Sequence, residues 1–153
     1  MLYRGVNKVD DEKNCGRLLP KGSLVKVAAK ADGKIKADGT FFAGPCESNT
    51  ARAHQIESGL YGGCGISTSR SEKMAIHFAT TRQSEDGCEY NEEGYVYVID
   101  ETSLSSANVA THEFPDPLYP HEQEVTLIVK SGGALPECLI IQKFSVGSDG
   151  NRT

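Results

Sequence analysis

The spacing of apolar positions along this 153-residue chain changes period several times, and each change marks an element. Leu2-Tyr-Arg-Gly-Val6 predicts a short opening strand with Arg4 at its middle. Gly94-Tyr-Val-Tyr-Val-Ile99 is β-branched or aromatic almost throughout and predicts the best strand of the chain. Val125-Thr-Leu-Ile-Val129 predicts another, Leu139 to Phe144 a last one, and Leu24-Val-Lys-Val27 a further short one. Between Arg70 and Ala79 the period lengthens. Met74 and Phe78, with Ala75 and Ala79, repeat at helical spacing, and Ser69 followed by Glu72 fits a capping box ahead of that helix. Glu47 to Ser58 suits a second helix, capped by Ser48 or Asn49 and ended by Gly59.

The intervening stretches lack periodicity. Asn7 to Ser23 is polar and predicts a turn or short helix. Asp32-Gly33 and Asp38-Gly39 are hairpin-type turn signals, so Gly33 to Thr40 reads as a mobile surface loop or hairpin. Phe41 and Phe42 follow as core or cleft aromatics. Gly59 to Gly65 reads as loop, Thr80 to Glu93 as charged turns, and Asp100 to Pro120 as a long connection with three prolines. Connections of that length in a compact domain tend to carry function. Val146 to Thr153 predicts a frayed polar tail. With no repeat and no linker, the pattern describes one α+β domain over residues 1–153, richer in strand than in helix.

Composition narrows the function classes. A formal net charge of −5 gives no electrostatic footprint for stable nucleic-acid binding. No run approaches the roughly 20 apolar residues of a membrane-spanning helix, and the N-terminus lacks a signal-peptide pattern, so the expectation is a soluble protein without membrane association. The cysteines Cys15, Cys46, Cys64, Cys88 and Cys138 number five, without metal-ligand spacing. At most two disulfides could form, leaving one thiol free; the plainer reading is scattered reduced thiols, and no metal site is expected.

Candidate chemistry gathers in Leu118-Tyr-Pro-His-Glu-Gln-Glu-Val-Thr-Leu-Ile-Val129. Carboxylates at i and i+2 point the same way in extended structure. If Glu122 and Glu124 open the strand, both face one cleft and Gln123 faces away. Two nearby carboxylates repel and shift each other's pKa, which suits an active site; the plain alternative is a solvated acidic strand mouth. Arg4 is a strand-edge charge or a rigidly held guanidinium for phosphate or carboxylate, with Gly5 beside it allowing close approach of a ligand. His54 on the helix expected over Glu47 to Ser58 is more simply structural than catalytic. Ser67 and Thr68 end a strand, while Ser69 is accounted for by its cap.

Taken in order, Arg on an early strand, Ser-Thr-Ser at a strand-to-helix junction and Glu-x-Glu at a late strand resemble the Arg-Ser-Glu class of mono-ADP-ribosyltransferases. That class holds the cholera-like and heat-labile-enterotoxin-like toxins and the pierisin-like enzymes. The resemblance extends through Arg17-Leu-Leu-Pro-Lys-Gly22, Gly65-Ile-Ser-Thr-Ser69, Tyr95-Val-Tyr-Val-Ile99, Pro120-His-Glu-Gln-Glu-Val125 and Gly132-Gly133, covering Leu2 to about Phe144. It implies the ADP-ribosyltransferase fold, two packed, mainly antiparallel β-sheets with flanking helices and an NAD cleft. It also implies NAD as substrate, no metal, and glycosyltransferase chemistry that moves ADP-ribose from nicotinamide to an acceptor.

The same resemblance assigns roles. Glu124 matches the residue that stabilises the developing ribosyl cation, and Arg4 the one that grips the phosphates. Ser67 matches the serine that orients the glutamate, with Thr68 and Ser69 shaping the junction. Gly5 offers its backbone to the nicotinamide amide, and His54 matches a helper histidine of the enterotoxin branch. Glu122 matches the acid that goes with arginine acceptors on a target protein, which the loop from Ser103 to Pro120 would meet. Water as acceptor would make the protein an NAD glycohydrolase, and guanine in nucleic acid is a third acceptor class. The implied setting is a toxin or virulence effector, secreted or injected to act in a target-cell cytoplasm, with an immunity or carrier protein as further partner.

Overall fold

The computed structural model describes residues 1–35 and 39–153; Asp38 of the second turn signal, and with it part of the loop expected over Gly33 to Thr40, lies outside the described residues. Among the described residues, eight strands and three helices follow one another: β1 (Leu2–Asn7), α1 (Lys8–Lys13), α2 (Glu47–Ile56), β2 (Ile66–Ser69), α3 (Glu72–Thr80), β3 (Thr81–Gln83), β4 (Glu89–Asn91), β5 (Gly94–Ile99), β6 (Val109–His112), β7 (Glu124–Val129) and β8 (Ile140–Val146). The expected α+β class holds. β3 and β4 form a small hairpin, and the other six strands form one antiparallel sheet in the order β6-β7-β2-β1-β5-β8.

That sheet is two three-stranded halves meeting at a seam. β1 pairs with β5 along six residues, from Leu2↔Ile99 to Asn7↔Gly94, and β2 pairs with β7 along four, from Ile66↔Leu127 to Ser69↔Glu124. β1 and β2 themselves share a single register pair, Tyr3↔Ser69. The ladder between the two halves therefore ends just beyond that pair.

Both faces of the sheet are covered, which explains the unbroken apolar run in β5. Tyr97 and Ile99 join Leu2, Ile66, Val125, Leu127 and Val129 in the main core, while Val96 faces the other way onto Ala75 and Ala79 of α3. α2 is polar in sequence yet buried, because its polar groups carry a long segment. Thr50 accepts from the Val27 amide (3.0 Å) and donates to the Val25 carbonyl (2.6 Å). Asn49 donates to the Phe42 and Gly44 carbonyls, both at 3.1 Å. Buried side-chain donors and acceptors must find such partners.

Several sequence expectations are corrected. Leu24 to Val27 is not a strand; Leu24 and Val27 form isolated bridges to Gly63 and Cys46, and Thr50 satisfies the backbone between them. α2 is capped by the Cys46 sulfur, which accepts from the Asn49 amide at 3.4 Å, not by Ser48 or Asn49. Phe41 is partly buried against Val27 and Ala53, whereas Phe42 is exposed. Thr80 to Glu93 contains the β3–β4 hairpin, and the long connection after Asp100 contains a 3-10 turn (Glu101–Ser103) and β6 at the sheet edge. The tail is folded back: Val146 bridges Arg152, whose guanidinium lies 3.7 Å from the Phe144 ring centroid and pairs with Glu72 at 2.8 Å. Among the described residues no helix is long and apolar enough to cross a membrane.

Candidate active site

The seam opens into a cavity of about 460 Å³, within the size range of small-molecule sites. Arg4 stands at its root. Counting on from Tyr3↔Ser69 sets Gly5 opposite Ser67, but the ladder does not continue. Instead Nη1 of Arg4 donates to the Ser67 carbonyl at 3.2 Å. Burial lowers the Arg4 pKa, and the opposing charges of Glu124 and Asp10 support the cation.

Ser67 and Glu124 are brought together by register. Ser67 lies opposite Thr126 on β7, and Glu124 is two residues from Thr126 on the same face. Oγ of Ser67 is 2.7 Å from Nε2 of His54, and that nitrogen is 4.0 Å from Oε1 of Glu124. The tautomer of His54 follows from its other nitrogen. Nδ1 accepts from the Gly59 amide at 3.3 Å, so the ring proton sits on Nε2 and is donated toward Ser67. Gly65 makes room for this ring, since a Cβ there would lie 2.6 Å from the imidazole Cγ. The sequence placed His54 as more simply structural, yet it borders the cavity and holds Ser67.

His54 is held neutral. Burial, then the nearby charges of Arg4 and Lys21, push its pKa down to about 4. In the unfolded chain it takes a proton near 6.5. Acidification between those values protonates the unfolded chain first, so the contribution of His54, intact above pH 6.5, falls by about 3 kcal/mol as the pH drops to 4. Imidazole NMR titration of the folded protein should show His54 neutral at pH 5.5; a midpoint near 6.5 would contradict the buried neutral ring.

Burial raises the pKa of Glu124, the Ser67 and Thr126 hydroxyls draw it down, Glu122 pushes it up and Arg4 pulls it down. Glu122 reaches the cavity by a different backbone route from the one its spacing suggested. It ends a 3-10 turn (Pro120–Glu122), Gln123 takes a left-handed conformation (φ 47°), and β7 begins only at Glu124. The two acids therefore do not share one strand, although both line the cavity. Two hydrogen bonds from the β2 end fix the turn: Ser69 Oγ donates to the Glu122 carbonyl (2.6 Å), and the Arg70 amide donates to the Gln123 carbonyl (3.1 Å). Burial raises the Glu122 pKa, while the neighbouring His121 and His77 oppose the shift.

Two other assignments change. Ser69 is not the cap of α3; Ser71 is, accepting from the Met74 amide at 3.2 Å, because the Ser69 hydroxyl is committed to Glu122. Gly5 is glycine for packing: a Cβ there would lie 1.8 Å from the Ala75 carbonyl oxygen of α3. Its backbone still borders the cavity. Thr68 spends its hydroxyl on the Val125 carbonyl at 2.6 Å, locking β2 to β7.

Residues that the sequence did not single out complete the cavity. Lys21 and Arg82 add cations, and Phe78 and Tyr119, each roughly half exposed, form an aromatic rim. Lys21 belongs to a quoted motif, but nothing local to the sequence brings it to the cavity. Gln55 also lines the cavity and reaches Glu124 through Thr126. What the arrangement can do chemically is hold an anionic substrate against Arg4 and place one buried carboxylate where a positive charge develops.

The family model NarE matches residues 1–127. No curated protein matches. Among solved structures, a double mutant of heat-labile enterotoxin superposes with a TM-score of 0.50 at 20% identity, covering 100% of this chain and 59% of that one. This chain thus spans less than two thirds of the enterotoxin chain's length, and the likeness is one of fold. With residues 1–127 matched, the chain belongs to the NarE family, an ADP-ribosyltransferase-like family.

Proposed function

We propose that the protein is an NAD-dependent mono-ADP-ribosyltransferase of the Arg-Ser-Glu class that transfers ADP-ribose to arginine on a target protein. The observation that carries the reading is the convergence of Arg4, Ser67 and Glu124 on one cavity with Glu122 at the turn beside it. Cleaving the nicotinamide–ribose bond develops positive charge on the ribose. A carboxylate fixed beside it lowers that barrier without reorganising at the moment of reaction. Glu124 fills this role, accepting the ribose 2′-hydroxyl; Ser67, oriented by His54, keeps its carboxylate in place. Arg4 supplies the guanidinium that grips the pyrophosphate. Glu122, on a turn and not on the strand, orients an incoming guanidinium and takes its proton as it attacks. The formal charge of −5 disfavours guanine in nucleic acid as acceptor. In this reading the protein acts as a toxin or effector inside a target cell, with arginine-bearing proteins as its partners.

The test is labelled NAD with and without agmatine as a minimal guanidinium acceptor. Glu122→Ala is expected to lose about 10²-fold or more in transfer while NAD hydrolysis stays within a few-fold of wild type. Equal loss of both activities would show the two acids misassigned. Full-speed nicotinamide release with no transfer to any guanidinium would make the protein a glycohydrolase.

A further inference from the structure

α2 reaches Glu124 twice. One route runs from His54 through Ser67; the other starts at the next residue. Nε2 of Gln55 donates to Oγ1 of Thr126 at 3.2 Å, and Oγ1 of Thr126 donates to Oε1 of Glu124 at 3.2 Å. The direction of this second route is fixed by the groups themselves. An amide nitrogen can only donate, so it occupies a lone pair of the threonine oxygen. The single hydroxyl proton of Thr126 is then free to point only one useful way, at the carboxylate.

We propose that Gln55 and Thr126 are positioning residues that form a one-way hydrogen-bond relay, orienting Glu124 and holding it as a carboxylate; this rests on the role of Glu124 proposed above. Thr126 is fully buried and Gln55 only 8% exposed, so the bond between them is shielded from bulk water. Neither polar group serves the core. Thr126 sits between Val125 and Leu127 in a strand where valine would satisfy the same backbone and packing, and a buried hydroxyl without a partner is costly. Its evident partner is Glu124. The burial that disfavours the Glu124 charge is opposed by the Thr126 and Ser67 hydroxyls. The other charged or titratable groups facing Glu124 are Arg4 from β1, His54 from α2 and Glu122 from the turn before β7, and the relay leaves all three unchanged.

The experiment follows the Glu124 side-chain carboxyl by ¹³C NMR against pH in the full chain without NAD. The variants are Thr126→Val, Thr126→Ser, Gln55→Met and the double variant Thr126→Val with Gln55→Met. Thr126→Val should raise the Glu124 midpoint by about one pH unit, and Thr126→Ser should restore the wild-type value. Gln55→Met should shift it in the same direction by less and add nothing in the Thr126→Val background, because Gln55 acts only through Thr126. The acid limb of kcat/KM for NAD cleavage should move with the midpoint. An unmoved midpoint in Thr126→Val, or additive shifts from the two positions, overturns the relay. If Gln55→Met does not fold, the Thr126 pair alone decides. Midpoints that move as expected in a protein that never cleaves NAD would uphold the relay and sink the reaction assigned to it.

Discussion

Glu124→Gln should abolish both activities together, lowering NAD hydrolysis and ADP-ribose transfer by about 10³-fold with the fold intact. The substitution keeps the shape of the side chain and leaves an oxygen that can accept from Thr126, which donates to Oε1 at 3.2 Å. Only the charge is removed. Because burial disfavours that charge in the folded state, the variant should be as stable as wild type or more so, the pattern of a residue kept for activity at some cost in stability. NAD hydrolysis assays and thermal unfolding on the same samples check both halves. Retained hydrolysis would remove Glu124 from the reaction, and a large fall in Tm would show that the carboxylate is a structural partner.

Gly5→Ala should be the most damaging single-methyl change in the chain. The added Cβ would lie 1.8 Å from the Ala75 carbonyl oxygen and 2.8 Å from both the Ala75 carbonyl carbon and the Ala79 amide nitrogen. These are backbone atoms of α3, so no side chain can swing aside. Relief requires moving the helix off β1, which exposes the small cluster of Ala75, Ala79 and Val96. Overpacking of this kind costs about 3 kcal/mol or more, roughly 10 °C in Tm for a domain of this size. Gly87→Ala is the control: its φ is 83° with nothing within 4 Å of the added carbon, so only the left-handed backbone is penalised, by about 1 kcal/mol. Equal Tm values for the two variants would contradict the close approach of α3 to β1.

The parts of this molecule legible in its sequence are those that local pattern determines. β5 and β7 follow from β-branched runs that tolerate burial on both faces, and α3 from its Ala75, Ala79 spacing. Arg4, Ser67 and Glu124 stand out in the sequence because each sits within an ordered set of motifs that resembles a known family, and the fold brings all three to one cavity. Where a choice among neighbours depends on tertiary contact, the sequence misleads. Ser69 and Ser71 are equally good caps until the Glu122 carbonyl claims Ser69. Glu122 and Glu124 do meet one cavity, but through a left-handed Gln123 that glutamine spacing does not announce. Gln55 and Thr126 were invisible because they are 71 residues apart and their meeting depends on how α2 docks on β7.

The seam between β1 and β2 ties folding and chemistry to one side chain. Arg4 donates to the carbonyl of Ser67, bridging the two halves of the sheet where the ladder has run out. It is a staple before it is a ligand for anything. On the function proposed above, a chain that lost this guanidinium would lose its grip on the pyrophosphate and its join in the same step. Even in a lineage that had abandoned catalysis, drift at position 4 would still be penalised, through the join alone. Glu122 lies on a turn fixed by its own backbone carbonyl and not by its carboxylate, and carries no such double duty. If Glu122 chooses the acceptor as proposed above, change in that choice can accumulate there without disturbing the sheet.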